Sequence, residues 1–114
     1  MLRRFLFATL FLIALPVVAT NEDPLATVAE LGRLNGEALA CGQSAISNQA
    51  KKLMIRHAPK TRRYGEVFEE QTNGAFLARG KDASCQTADA FSRRLDELAT
   101  RLQQLLPVAA APTR

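Results

Sequence analysis

The sequence predicts an all-α fold: a small four-helix domain, orthogonal or bundle-like, closed by one disulfide. Three observations carry that expectation. From Pro24 to Leu105 apolar residues recur at spacings of three and four, the period of a helix face, and no stretch alternates as a half-buried strand does. Gly42, Ala58-Pro59, Gly80 and Pro107 cut this pattern into four segments of helical length. Two cysteines, Cys41 and Cys85, flank the two middle segments, so one bridge would tie the end of the first helix to the start of the fourth.

The first helix starts at Asp23-Pro24, an N-cap followed by proline in the first helical position. Leu25, Val28, Leu31, Leu34, Ala38, Leu39 and Cys41 form a wide apolar face, with Glu30, Arg33 and Glu37 opposite. Gly32 and Gly36 lie four apart on the edge of that face. Each glycine costs a helix about 1 kcal/mol against alanine. Two at this spacing point to another helix crossing closely; a plain weakness of the helix is the competing explanation. Gly42 ends the segment in a left-handed conformation and Ser44 caps the next.

In the second helix Ile46, Ala50, Leu53, Met54 and His57 share a face until Ala58-Pro59 stops it. Thr61 opens the third, with Tyr64, Val67, Phe68, Gln71 and Ala75 on one side and Gly80 at its end. The fourth carries the strongest pattern: Ala88, Phe91, Leu95, Leu98, Leu102 and Leu105. Its exposed pairs Asp89 with Arg93 and Glu97 with Arg101 have the favourable acid-first order. No repeat or linker divides residues 20–106, so they read as one helical domain, and residues 107–114 as a disordered Pro-Ala tail.

Residues 1–19 read as a secretory signal peptide. Arg3-Arg4 is a basic start, Phe5 to Leu15 is an apolar run without charge, and small residues follow Pro16 up to a cut after Ala19. The run is too short to cross a hydrocarbon core of about 30 Å, which takes about 20 residues. Once it is cleaved, no transmembrane segment is expected. Cleavage also removes two arginines and no acid, so the net charge of +4 falls to +2. The basicity belongs partly to the leader and argues little for a nucleic-acid partner. The expected location is periplasmic or secreted, an oxidising space in which Cys41 and Cys85 pair. Free thiols, a metal pair and an intermolecular bridge are the alternatives. Two distant cysteines and a single histidine make a poor metal set, and neither metal nor cofactor is expected.

The most distinctive chemistry is basic. Lys51, Lys52, Arg56, Lys60, Arg62 and Arg63 fall in a stretch with no acid between Glu37 and Glu66. Such a patch suits an anion or an acidic partner surface; the plainer reading is a solvated helix face, partly neutralised by Glu66, Glu69 and Glu70. His57 sits where a helix C-terminus favours a cation, and packing or capping suits it better than acid-base work, for which no motif supplies a partner. Glu66 and Glu70 share a face, but paired carboxylates of glycosidases flank a sugar in a cleft, and the chain has no Trp and one Tyr to line it. No nucleophile elbow or phosphate loop is present. Asn35, Gln71 and Asn73 lie on or beside apolar faces and suggest a buried amide network, or the lining of a small groove.

The segment LGRLNGEALACG from Leu31 to Gly42, with KKLMIRHAPKTR after it, resembles small exported two-cysteine helical proteins of proteobacteria, a resemblance that implies no activity. In size, helicity and a single long-range disulfide the chain is also similar to periplasmic acid-stress chaperones, whose Trp-Thr-Cys motif is here Leu39-Ala40-Cys41. Helical immunity proteins directed at exported cell-wall amidases fit the same broad outline. The function expected is a non-enzymatic binding or interaction protein, of inhibitor, immunity or assembly-accessory type, with another envelope protein as partner. Its alternatives are an anion- or envelope-surface-binding protein acting through residues 51–63, and a stress chaperone.

Overall fold

A computed structural model describes residues 23–80 and 84–108, which form four helices and no strand: α1 (Pro24–Ala40), α2 (Ser44–His57), α3 (Arg62–Gly80) and α4 (Ala88–Leu105). The signal sequence read for residues 1–19 lies outside the described residues, as does the tail beyond Val108. Pro107 and Val108 are exposed and follow the end of α4.

Local signals place the helix ends. Asp23 accepts a bond from the Leu25 amide and Pro24 fills the first turn, where its missing N–H costs nothing. At the other end Gly42 takes φ +71°, the Gln43 amide donates to the Ala38 carbonyl (2.8 Å) and the Gly42 amide to that of Leu39 (3.3 Å). This is a Schellman stop, and it turns the chain back into α2. Gln43, without a side-chain cap, occupies the N-cap of α2; Ser44, expected there, is already helical. Thr87 caps α4 through the Ala90 amide.

α1 is the hub. It packs against α2, α3 and α4, whereas the backbone of α3 approaches α1 alone. A symmetrical bundle would also set the backbone of α3 beside α2 or α4. Val28, Leu31, Leu34 and Ala38 are fully buried and meet Ile46 and Ala50 of α2 and Phe91, Leu95, Leu98 and Leu102 of α4. Burying each large apolar side chain stabilises the fold by about 1.5–3 kcal/mol. The middle of the stripe read in α4, Phe91 to Leu102, is therefore its inward face, while Ala88 is exposed and Leu105 half-buried at its ends.

The glycines of α1 are the α3 seat. A Cβ on Gly32 would stand 2.6 Å from the Phe68 carbonyl oxygen, and one on Gly36 would overlap that of Thr72. Backbone meets backbone, so the close crossing is the correct reading of the two glycines. Gly32 faces Phe68 and Gly36 faces Thr72, so α1 and α3 run in the same direction.

Ion pairs fix α4 in the opposite sense. Arg94 donates to Glu37 at 2.5 Å and Arg101 to Glu30 at 2.6 Å, two turns apart on each helix. Both arginines thus reach across to α1, and among the described residues no ion pair joins Asp89 to Arg93. Cys41 and Cys85 are disulfide-bonded, with Cα atoms 5.8 Å apart. The bridge pins the segment before α4 to the end of α1. Arg79 reinforces it by donating to the Ser84 carbonyl at 2.8 Å.

Candidate functional site

Of the buried polar residues, Asn35, Ser47 and His57 are hydrogen-bonded within the fold, whereas the Thr27 hydroxyl has no partner among the described residues. Asn35 is 1% exposed; its Oδ1 accepts from the Ser47 hydroxyl at 2.6 Å and its Nδ2 donates to Thr72 Oγ1 at 3.2 Å. Thr72 in turn donates toward the carbonyls of Phe68 and Gly32. The network expected around Asn35 exists, but its partners are the hydroxyls of α2 and α3. Gln71 is half-buried beside Gly32, and Asn73 is exposed on a groove wall.

His57 is buried, and its Nδ1–H donates to the Leu106 carbonyl at 2.8 Å, tying the end of α2 to the end of α4. That is the packing and capping role. Glu66, Glu69 and Glu70 are all exposed on α3. Glu37 lies between two arginines, Arg94 and Arg79, the latter at 3.5 Å. Among the described residues no cluster of histidine, cysteine, aspartate or glutamate could hold a metal.

Two grooves flank α3, whose backbone approaches α1 alone. The first, about 450 Å³, has Asn35 and Leu39 of α1 as its floor and Lys51 of α2, Phe68, Glu69, Thr72 and Asn73 of α3 as its walls. The second, about 490 Å³, is lined by Arg33, Glu37, Glu70, Gln71, Ala75 and Arg79, among others, and is the more polar. Leu39, expected on the buried face of α1, is 41% exposed because no second helix closes over the first groove.

The outer side of α3 is unusual for a helix in so small a domain. Phe76 is 46% exposed and Leu77 66%, while Phe68, Thr72 and Ala75 face α1. Sequence periodicity passed over both, since neither belongs to the series Tyr64, Val67, Phe68, Gln71, Ala75. Their position off that series is itself the signal: a bulky apolar residue outside the inward face has no place in the core. Three acids, Glu66, Glu69 and Glu70, precede them on the same helix, and no ion pair engages these acids among the described residues.

The six basic residues occupy the α2–α3 corner. Lys51, Lys52 and Arg56 stand on the outward arc of α2, Lys60 lies in the turn, and Arg62 and Arg63 open α3. All six are exposed, and none is ion-paired among the described residues. No ion pair joins them to Glu66, Glu69 or Glu70 among the described residues. No family model matches the chain, and no curated protein or solved structure does. Among the described residues no helix is long and apolar enough to cross a membrane.

Proposed function

We propose that this chain is an exported, non-enzymatic binding protein, periplasmic or secreted, that engages another envelope protein along α3 as an inhibitor, immunity factor or assembly accessory. The carrying observation is the outer side of α3, where Phe76 and Leu77 stand exposed beyond Glu66, Glu69 and Glu70. Apolar anchors next to acids suit a partner surface that offers an apolar pocket and basic residues, since aromatic anchors carry much of the energy of protein interfaces. The adjoining groove over Leu39 extends this surface.

Export is supported by the leader-like residues 1–19 and by the Cys41–Cys85 bridge, which suits an oxidising compartment. A binding role is supported by where the candidate catalytic groups are spent. His57 Nδ1 is committed to a backbone carbonyl, and Glu66 and Glu70 stand exposed on the outer side of α3.

The test is affinity capture from an envelope extract with the wild-type protein and with Phe76→Glu/Leu77→Glu. Both positions are exposed, so the variant keeps the helical spectrum and melting temperature. The expected result is a reproducible partner held by wild type and lost from the variant. A partner held equally by both, or none held by either, refutes the reading.

A further inference from the structure

The basic corner differs from the α3 surface in chemistry and place. Along α2, Lys51, Lys52, Ile55 and Arg56 share the outward arc, opposite the buried Ile46, Ala50 and His57. Ile55 lies in the middle of that arc and is 69% exposed, the most exposed of the large apolar residues among those described. Lys60 donates to the Ile55 carbonyl, which folds the turn back against the end of α2 and holds another cation close to Ile55. A shallow apolar depression of about 170 Å³, lined by Met54, Ile55, Ala58 and Pro59 among others, adjoins it. Arg62 and Arg63 open α3, a helix with no acid in its first turn, so their charges add to the positive end of its dipole.

Acids bound this patch without cancelling it. Asp96 shares a groove with Lys52 and Arg56, and Glu69 shares one with Lys51, yet neither forms an ion pair with them. Along α3 the acids begin only at Glu66. Lys51, Lys52, Arg56 and Lys60 thus surround one exposed isoleucine, with Arg62 and Arg63 following at the start of α3, so apolar surface and like charge are presented together.

We infer that this corner docks on the surface of an anionic phospholipid bilayer, with Ile55 entering the boundary of the acyl region and the lysines and arginines resting on the headgroups. Charge complementarity alone fits any polyanion. The isoleucine selects the bilayer, since a soluble polyanion offers no apolar layer, whereas basic residues flanking an apolar one are the pattern of interfacial binding. Each cation near an anionic surface strengthens partitioning about fivefold at low salt.

Co-sedimentation of the disulfide-closed protein with vesicles tests this. The vesicles are pure phosphatidylcholine, or equal parts phosphatidylcholine and phosphatidylglycerol. Binding is expected only to the second kind, weakened steeply by salt, at least about tenfold by Lys51→Gln/Lys52→Gln/Arg56→Gln, and about fivefold by Ile55→Ser. All these positions are exposed, so helicity and melting temperature stay as in wild type. Equal binding to both kinds of vesicle, or to neither, overturns the inference. Loss in the cation variant with none in Ile55→Ser also overturns it, because headgroup charge alone would then account for the binding and Ile55 would not enter the bilayer. Phe76→Glu/Leu77→Glu leaves vesicle binding unchanged, so this inference and the α3 reading stand or fall separately.

Discussion

Gly36 lies against the Thr72 carbonyl with no room for a methyl group between them. An alanine there gains helix propensity worth about 1 kcal/mol, but its Cβ meets backbone, which cannot swing aside as a side chain would. The helices must part, and the Asn35–Thr72 bond parts with them. We expect Gly36→Ala to destabilise the protein by about 2 kcal/mol in urea unfolding.

Gly74 supplies the opposite case on the partner helix. A Cβ there meets nothing within 4 Å, so only the propensity term acts. Gly74→Ala should stabilise by about 0.5–1 kcal/mol. Opposite signs at these two glycines would establish that contact across the α1–α3 seam decides the first.

Two buried hydroxyls make a second contrast. Ser47 satisfies Asn35 Oδ1, and Ser47→Ala strands that oxygen in the core, at a cost of about 1–3 kcal/mol. Thr27 is fully buried and its Oγ1 has no hydrogen-bond partner. Thr27→Val keeps the shape and removes the stranded group, so a gain of about 1 kcal/mol is expected. In a thermal scan the first variant melts lower than wild type and the second several degrees higher.

Glu37 is ion-paired with two arginines on different helices while its own side chain is 14% exposed. Glu37→Gln preserves size and helix propensity but leaves Arg79 and Arg94 without their shared countercharge on α1. The arginines are a quarter to a third exposed, so water screens part of the interaction. A loss of about 1 kcal/mol is expected, shrinking as salt is raised.

The fold was legible because its signals are local. Asp23-Pro24, Gly42, Pro59 and the spacing of Phe91, Leu95, Leu98 and Leu102 each act within a turn or two of chain, and each does what its residue type allows. Gly32 and Gly36 announced a close crossing but could not name the helix that crosses, because the small surface of a glycine pair fits many backbones. Leu39 was misplaced for the same reason: its exposure depends on α2 and α3 lying apart, a fact of assembly. The Asn35 network was half legible. An amide on an apolar face demands partners, but Ser47 and Thr72 look like any surface hydroxyl until the helices are docked. The basic corner was visible as composition, while Ile55 within it and Phe76 and Leu77 on α3 gained meaning only from exposure.

The bridge between Cys41 and Cys85 joins residues 44 apart in sequence. Closing such a loop stabilises the fold by about 4 kcal/mol on the chain-entropy model. For a domain this small, Cys41→Ala/Cys85→Ala should lower the urea midpoint by a large fraction of its value, with the same four helices in the circular dichroism of what remains folded.

Export and oxidation are joined in one measurement. The full-length chain is expressed in a Gram-negative host, the envelope fraction is treated with a thiol-alkylating reagent without reductant, and the intact mass is read. The expected mass is that of residues 20–114 with two hydrogens missing and no alkyl group added. A full-length chain left in the cytoplasm, or an envelope form alkylated at both cysteines, would contradict an exported, disulfide-closed binding protein.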